Sequence, residues 1–91
     1  MQLTTRQAAK IFRKLKVAPK RSTHHVAGFV TVDGKKVLPV HYSHGNKDMK
    51  GPVPHRFRKS LKLSEAEFAE LRDCTLGRDE YVQLLRDRGV V

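Results

Sequence analysis

Histidines are the residues of this sequence best suited to acid–base chemistry. Five occur among its 91 residues: His24, His25, His41, His44 and His55. An unperturbed imidazole has a pKa of about 6.5, so a histidine can give or take a proton near neutral pH. Metal-independent cleavage of an RNA backbone needs such groups for the 2′-hydroxyl and the leaving oxygen, with cations around the phosphate. The sequence supplies imidazoles directly after Lys20 and Arg21.

Other chemistries have weaker support. The spacing of His41 and His44 could suit a metal, but no cysteine pair or His-Glu-x-x-His motif flanks them, so we expect neither metal nor cofactor. Neighbours in a strand point to opposite faces, so His24 and His25 should not share one role there. The single Cys74 excludes an internal disulfide framework. No nucleophile elbow and no Gly-rich phosphate loop is present.

The charge is strongly positive and unevenly distributed. The chain has 19 Lys and Arg, 9 Asp and Glu, and a formal net charge of +10. Residues 1–63 hold 15 of the cations and two of the acids, whereas residues 64–91 hold four arginines and seven acids. A basic body favours nucleic acid, because each Lys or Arg set against a phosphate releases counterions. An acidic partner protein is the alternative, and the acid-rich C-terminal segment would suit self-association.

Local signals predict the order of helices and strands. Thr4 with Gln7, and Ser64 with Glu67, form capping boxes that begin two helices. The first helix should stop before Pro19. A further basic helix is expected from Pro54 through Phe57 and Leu61, and a last one from Arg78 to Arg88, with Gly89 as its stop.

A hairpin is expected between the first two of these helices. Asp33-Gly34 favours a two-residue turn joining strands Val26–Val32 and Lys35–Tyr42. Pro39 cannot donate to a ladder, so the second strand should lie at an edge or be locally bent. The segment Val17–Arg21 could add a third strand, and Ser43–Pro54 is predicted to be a loop. The chain is therefore predicted to be an α+β domain with two or three antiparallel strands.

Size and hydropathy limit the class of protein. A chain of 10.4 kDa makes one small domain, and 38% apolar residues suffice for a modest core. No apolar run approaches the ~18 residues of a spanning helix, so we expect a cytoplasmic protein that does not enter membranes. Among the aromatic residues, Phe12, Phe29, Phe57 and Phe68 are expected in the core, and Tyr42 is the candidate for stacking on a base.

Three short segments resemble the HicA family of toxins from type II toxin–antitoxin systems. They are the basic Lys20–His25, the strand end Leu38–His41 and the segment Leu63–Phe68, within a resemblance that covers about residues 4–70. The Gly-Ser-His signature of that family maps onto Ser22-Thr23-His24. The departure is Ser22 in place of glycine, which would be strained if that position needs a positive φ.

The resemblance implies a double-stranded-RNA-binding-domain-like fold and an endoribonuclease that cleaves mRNA and is neutralised by a HicB-type antitoxin. It divides the chain into a basic domain, residues 1–74, and a C-terminal helical extension, residues 75–91. By the same resemblance, His24 is the catalytic acid or base. The expected RNA contacts are Lys14, Lys20, Arg21, Thr23, His25, Lys47, Lys50, Arg56 and Lys59.

Two other functions stay open at this point. The chain could be an RNA-binding module with an inert His24, which the substitution at Ser22 favours. It could instead be a protein-interaction module that uses its basic face on an acidic partner. A helix-turn-helix DNA-binding domain is disfavoured, because the predicted hairpin separates the first helix from the next.

Overall fold

The computed structural model describes residues 3–22, 25–43, 48–49, 51–73 and 75–91. Within these ranges the chain is a small α+β domain with four helices and a three-stranded antiparallel sheet, as the sequence predicts at this level. No described helix is long and apolar enough to cross a membrane. The elements are β1 (Leu3–Thr4), α1 (Thr5–Lys14), β2 (Lys20–Arg21), β3 (His25–Val32), β4 (Lys35–Ser43), β5 (Asp48–Met49), α2 (Val53–Ser60), α3 (Glu65–Arg72) and α4 (Arg78–Asp87).

The start of α1 is the predicted capping box. The Thr4 hydroxyl accepts from the Gln7 backbone N–H at 3.1 Å, and the Gln7 side chain accepts from the Thr4 N–H at 2.9 Å. The capping box thereby supplies acceptors to two of the four backbone N–H groups that have no partner within the helix at its N-terminus.

The helix ends earlier than Pro19 requires, through a Schellman motif. The Lys16 N–H donates to the Arg13 carbonyl at 3.1 Å, and the Val17 N–H donates to the Phe12 carbonyl at 2.9 Å. Lys16 takes the left-handed position, with a φ of 57°. Glycine is the usual residue there, so the sequence holds no glycine to mark this helix end.

The sheet has the order β2-β3-β4, so β4 is an edge strand and the prediction from Pro39 is confirmed. Asp33 and Gly34 both have positive φ, 53° and 78°, which confirms the tight turn. The third strand exists, but it spans only Lys20–Arg21 of the predicted Val17–Arg21. The register of β3 and β4 shifts between Val30 and Thr31.

The predicted loop Ser43–Pro54 is wrong in one respect, because it contains β5. This strand pairs with β1, with Leu3 opposite Met49. Both side chains are buried. A two-residue strand has no periodicity to read, so the pairing leaves no pattern in the sequence. The helix α2 begins at Val53, one residue before the predicted start at Pro54.

One hydrophobic core joins the inner face of the sheet to all four helices. Phe12 of α1 and Phe57 of α2 pack on Tyr42 of β4, and Phe57 also contacts Phe68 of α3. From α4, the buried Tyr81 donates its hydroxyl to the Leu61 carbonyl at 2.9 Å. Residues 75–91 therefore pack into the same core as the rest of the chain, while the division at residue 74 stays a prediction.

The chain segment after α1 passes close to β3 at Gly28. A Cβ built on Gly28 would lie 2.4 Å from Val17 Cγ1 and 2.7 Å from the Ala18 carbonyl oxygen. The second atom belongs to the backbone, so the contact could not be relieved by turning a side chain. Gly28 therefore allows the segment to approach the strand.

Replacing this glycine tests that approach. Gly28→Ala should destabilise the protein by about 1–3 kcal/mol, the usual cost of forcing atoms into a packed site. Gly77→Ser is the matched control, because Gly77 is the N-cap of α4 with extended backbone, and its Cβ would meet only the Glu80 side chain at an ordinary contact distance of 3.5 Å. Serine caps helices well, so this control should keep or raise stability. Urea unfolding measures both, and equal stability of Gly28→Ala and wild type would contradict the packing argument.

The second predicted capping box, at α3, is also an electrostatic contact with α4. The Ser64 hydroxyl accepts from the Glu67 N–H, and Glu67 accepts from the Ser64 N–H at 2.8 Å. Arg88 donates to the same carboxylate. The Ser64 backbone N–H, together with Arg88, holds the pKa of the Glu67 carboxyl below its usual range.

Acid should therefore weaken the fold partly through Glu67. Its folded pKa lies below the unfolded value of about 4.3, so its contribution is present above that pH and is lost as the pH falls through the folded value. Glu67→Gln keeps the cap but loses the charge, so its stability should fall less between neutral pH and about pH 3. The control Glu70→Gln, at an exposed site, should follow wild type. Parallel acid dependence of all three proteins in urea unfolding would overturn this assignment.

Candidate nucleic-acid interface

The four helices cover only the inner face of the sheet, and side chains alternate accordingly. Val26, Val30, Val40 and Tyr42 are buried against the core. The alternate residues His25, Phe29, Pro39 and His41 are exposed on the outer face. No Asp or Glu occurs in the three strands β2, β3 and β4.

Two histidines stack on this outer face. The rings of His25 and His41 have centroids 5.6 Å apart and an interplanar angle of 14°, and both side chains are exposed. The register explains the pair, since His41 lies opposite Ala27, two residues from His25 on the same face. The structure thus places two imidazoles side by side where solvent and a ligand can reach them.

The short strand β2 brings cations to the same end of the sheet. Lys20 pairs with Ala27, so Lys20, Ala27 and His41 form one row across the three strands. Arg21 pairs with Val26 in the next row. Next to Arg21, the Ser22 N–H donates to the His25 carbonyl at 2.8 Å.

Ser22, the residue after β2, has no strained backbone. Among the described residues other than glycine, positive φ occurs at Lys16, Asp33 and Lys62, and Ser22 is not one of them. A serine at a negative φ has no steric strain in its backbone. The departure from the family's glycine is therefore compatible with the backbone of this position.

Four of the predicted site residues, and His44 of the His41–His44 spacing, lie outside the described residues. The four are His24, Thr23, Lys47 and Lys50. Their roles stay predictions from the sequence.

Tyr42 is wrong as the predicted stacking residue. Only 5% of it is exposed, and its ring packs edge-on against Phe12 with centroids 4.9 Å apart. Burial raises the pKa of its phenol, and the guanidinium groups of Arg21 and Arg13 act in the opposite direction. Two arginines, one from β2 and one from α1, therefore lie near the Tyr42 hydroxyl and add positive charge at this end of the molecule.

Phe29, predicted in the core, is instead exposed over 42% of its surface. Lys36 places its ammonium 4.9 Å from the centre of the ring. The alternation of Val26, Val30 and Val32 with Ala27 and Phe29 in the sequence could have identified this, because only one face of a small sheet is covered. Phe29 is the aromatic platform that the sequence interpretation missed.

An open groove of about 450 Å³ runs beside Phe29. Three lysines line it, one from the segment that follows α1, one from β2 and one from β4. Its walls are formed by Lys16, Ala18, Lys20, Ala27, Gly28, Phe29, Thr31 and Lys36.

The remaining predicted RNA contacts lie elsewhere. Lys14 is half-buried and donates to the Leu71 carbonyl at 3.3 Å, so it ties α1 to the C-terminal end of α3, where a cation is favoured. Arg56 and Lys59 are exposed on α2, which packs against the inner face of the sheet. The structure does not bring these three residues together with the histidine pair.

Ion pairing divides the cations into two groups. Arg72, Arg86 and Arg88 pair with Asp73, Asp33 and Glu67, respectively. Within the described ranges, Lys16, Lys20 and Arg21 pair with no carboxylate. The sheet side of the molecule therefore carries positive charge that the protein itself does not neutralise.

No group of three or more His, Cys, Asp or Glu that could hold a metal ion occurs in the described part of the chain. Comparison with protein-family models, with curated proteins and with solved structures finds no match for this chain. The resemblance to HicA toxins therefore rests on the short motifs alone.

Proposed function

We propose that this protein binds RNA through the outer face of its sheet and is a HicA-type ribonuclease toxin, held inactive by a HicB-type antitoxin. The observation that carries the proposal is the exposed, stacked pair of His25 and His41, with Lys20 in the same row of the outer face as His41. Arg21 lies at the same end of the sheet, in the row of Val26 and Tyr42. Imidazoles among cations that lack carboxylate partners suit a phosphodiester substrate. A double-stranded-RNA-binding-domain-like fold belongs to the same proposal.

The proposed reaction needs no metal. The 2′-hydroxyl loses its proton to a base, its oxygen forms a bond to phosphorus, and the bond from phosphorus to the 5′-oxygen breaks as that oxygen gains a proton. His24 is the proposed acid or base, on the strength of the resemblance. Lys20 and Arg21 stabilise the negative charge that grows on the phosphoryl oxygens, and Lys47 and Lys50 are further candidates for this role.

Removing the imidazole of His24 tests the activity. Expression of wild type should arrest growth and degrade cellular RNA, and His24→Ala should lose at least about 100-fold of the cleavage rate, as expected for a general acid or base. The control His55→Ala removes an imidazole on α2, beside Glu65. It should cleave like wild type, and circular dichroism checks the fold of each variant.

The same comparison identifies a non-catalytic protein. If wild type leaves RNA intact while binding it, the chain is an RNA-binding module on this scaffold and the enzyme proposal is wrong. If His24→Ala cleaves as fast as wild type, the role of His24 is wrong.

Salt dependence tests the phosphate contacts separately. On a single strand, log affinity should fall linearly with log salt, and Arg21→Gln should lower that slope by about 0.7, the share of one phosphate. Arg86→Gln removes the same charge from an arginine already paired with Asp33, so its slope should match wild type. Fluorescence anisotropy with a labelled 2′-O-methyl RNA, which cannot be cleaved through its 2′-oxygen, gives both slopes. Equal slopes for the two variants would remove Arg21 from the interface.

A further inference from the structure

The groove beside Phe29 combines features that a folding domain does not need. Phe29 exposes an apolar ring that lies on the face opposite the core. Lys16 occupies a left-handed backbone position that glycine would fill with less strain. Both side chains line the same groove. The exposed ring between lysines is what distinguishes the groove, because Lys62 has the same left-handed backbone outside it.

The groove has the chemistry of a nucleotide site. An aromatic ring accepts any unpaired base by stacking, and lysines around it accept the adjoining phosphates. Lys36 already lies over the Phe29 ring. An exposed cation–π contact is weak, so this ammonium can exchange the ring for a phosphate when a base arrives.

We propose that this groove is a subsite for one unpaired base of single-stranded RNA, stacked on Phe29 with Lys16, Lys20 and Lys36 on the flanking phosphates. The inference rests on the proposed function and names the substrate class of the same surface. A base in a duplex does not offer its ring face, so stacking on Phe29 requires a single strand. Charge complementarity selects the polyanion, since no acidic side chain lines the groove.

The position of the groove relates it to the histidine pair. His25, Ala27 and Phe29 follow one another on the outer face of β3. Phe29 lies four residue steps along the extended strand from His25, which is about 14 Å. A base seated on Phe29 would therefore hold the strand a short distance from the histidines and set where along the chain the phosphate is presented to them.

Binding to two oligonucleotides separates stacking from charge. The first probe is a fluorescein-labelled single-stranded 2′-O-methyl RNA, and the second is an abasic strand of the same length and charge. Phe29→Ala should weaken binding of the first by about 10-fold or more, and Phe29→Trp should restore it. Neither change should alter binding of the abasic strand. Because Phe29 is exposed, both variants should keep the thermal midpoint of wild type.

Lys16 and Lys62 provide a matched pair of charge variants. Both are exposed lysines in the left-handed position after a helix, with φ of 57° and 62°, but only Lys16 lines the groove. Lys16→Gly and Lys62→Gly should each leave the fold as stable as wild type or more so. Lys16→Gly alone should weaken binding of both probes and lower the salt slope by about 0.7.

Three results would overturn the subsite. The first is that Phe29→Ala binds the 2′-O-methyl RNA as tightly as wild type does. The second is that a duplex binds more tightly than the single strand. The third is that Lys16→Gly and Lys62→Gly weaken binding equally. If polyglutamate competes as well as RNA, with the same dependence on Lys16 and none on Phe29, the groove is a site for an acidic protein instead.

The outcome is separable from that of the ribonuclease proposal, because the 2′-O-methyl probe is not cleaved. If the probes bind as expected but unmodified RNA is not cleaved, the subsite proposal is supported and the ribonuclease proposal is wrong. If Phe29→Ala cleaves RNA with the KM of wild type, the ribonuclease proposal is supported and the subsite proposal is wrong.

Discussion

The close passage of the Val17–Ala18 segment over Gly28 determines where the functional side chains lie. The segment must approach β3 before it can pair as β2, and any Cβ at Gly28 would push it away. Once β2 is paired, the register fixes Lys20 beside Ala27 and Arg21 beside Val26. Because Gly28 has no side chain, β2 can pair with β3, and this pairing positions Lys20 and Arg21. Gly28 also forms part of the groove wall.

The sheet is covered on one face only, and this division organises the charge as well as the core. The helices α3 and α4 carry most of the acids, and Arg72 of α3 and Arg86 of α4 are paired with carboxylates. The outer face has histidines, lysines and one phenylalanine, with no carboxylate in its strands. Concentrated like charge costs free energy through self-repulsion, which a bound polyanion relieves. The fold therefore places the acids of α3 and α4 away from the outer face of the sheet, while α1 and α2 are basic as well.

Local signals predicted the parts of the fold that depend on a few adjacent residues. The capping boxes at Thr4 and Ser64 and the turn at Asp33-Gly34 each contain their own hydrogen-bonding groups, so tertiary context did not change them. The pairing of β1 with β5 joins residues far apart and left no local pattern. The helix ends at Lys16 and Lys62 were hidden because lysine replaces the expected glycine. Tyr42 and Phe29 exchanged roles, although the alternation within β3 already separates Phe29 from the buried valines.

Lys16 and Phe29 both depart from what the sequence predicts, and both line the groove on the outer face. A left-handed lysine costs about 1–2 kcal/mol of backbone strain, and an exposed phenylalanine contributes little burial. Neither is needed for the core, whose buried residues come from the opposite face of the sheet. Lys16 and Phe29 meet in one groove, on the same face as the stacked histidines. Lys62 has the same left-handed backbone outside the groove, so the exposed ring of Phe29 between Lys16, Lys20 and Lys36 is the feature that favours binding at this face.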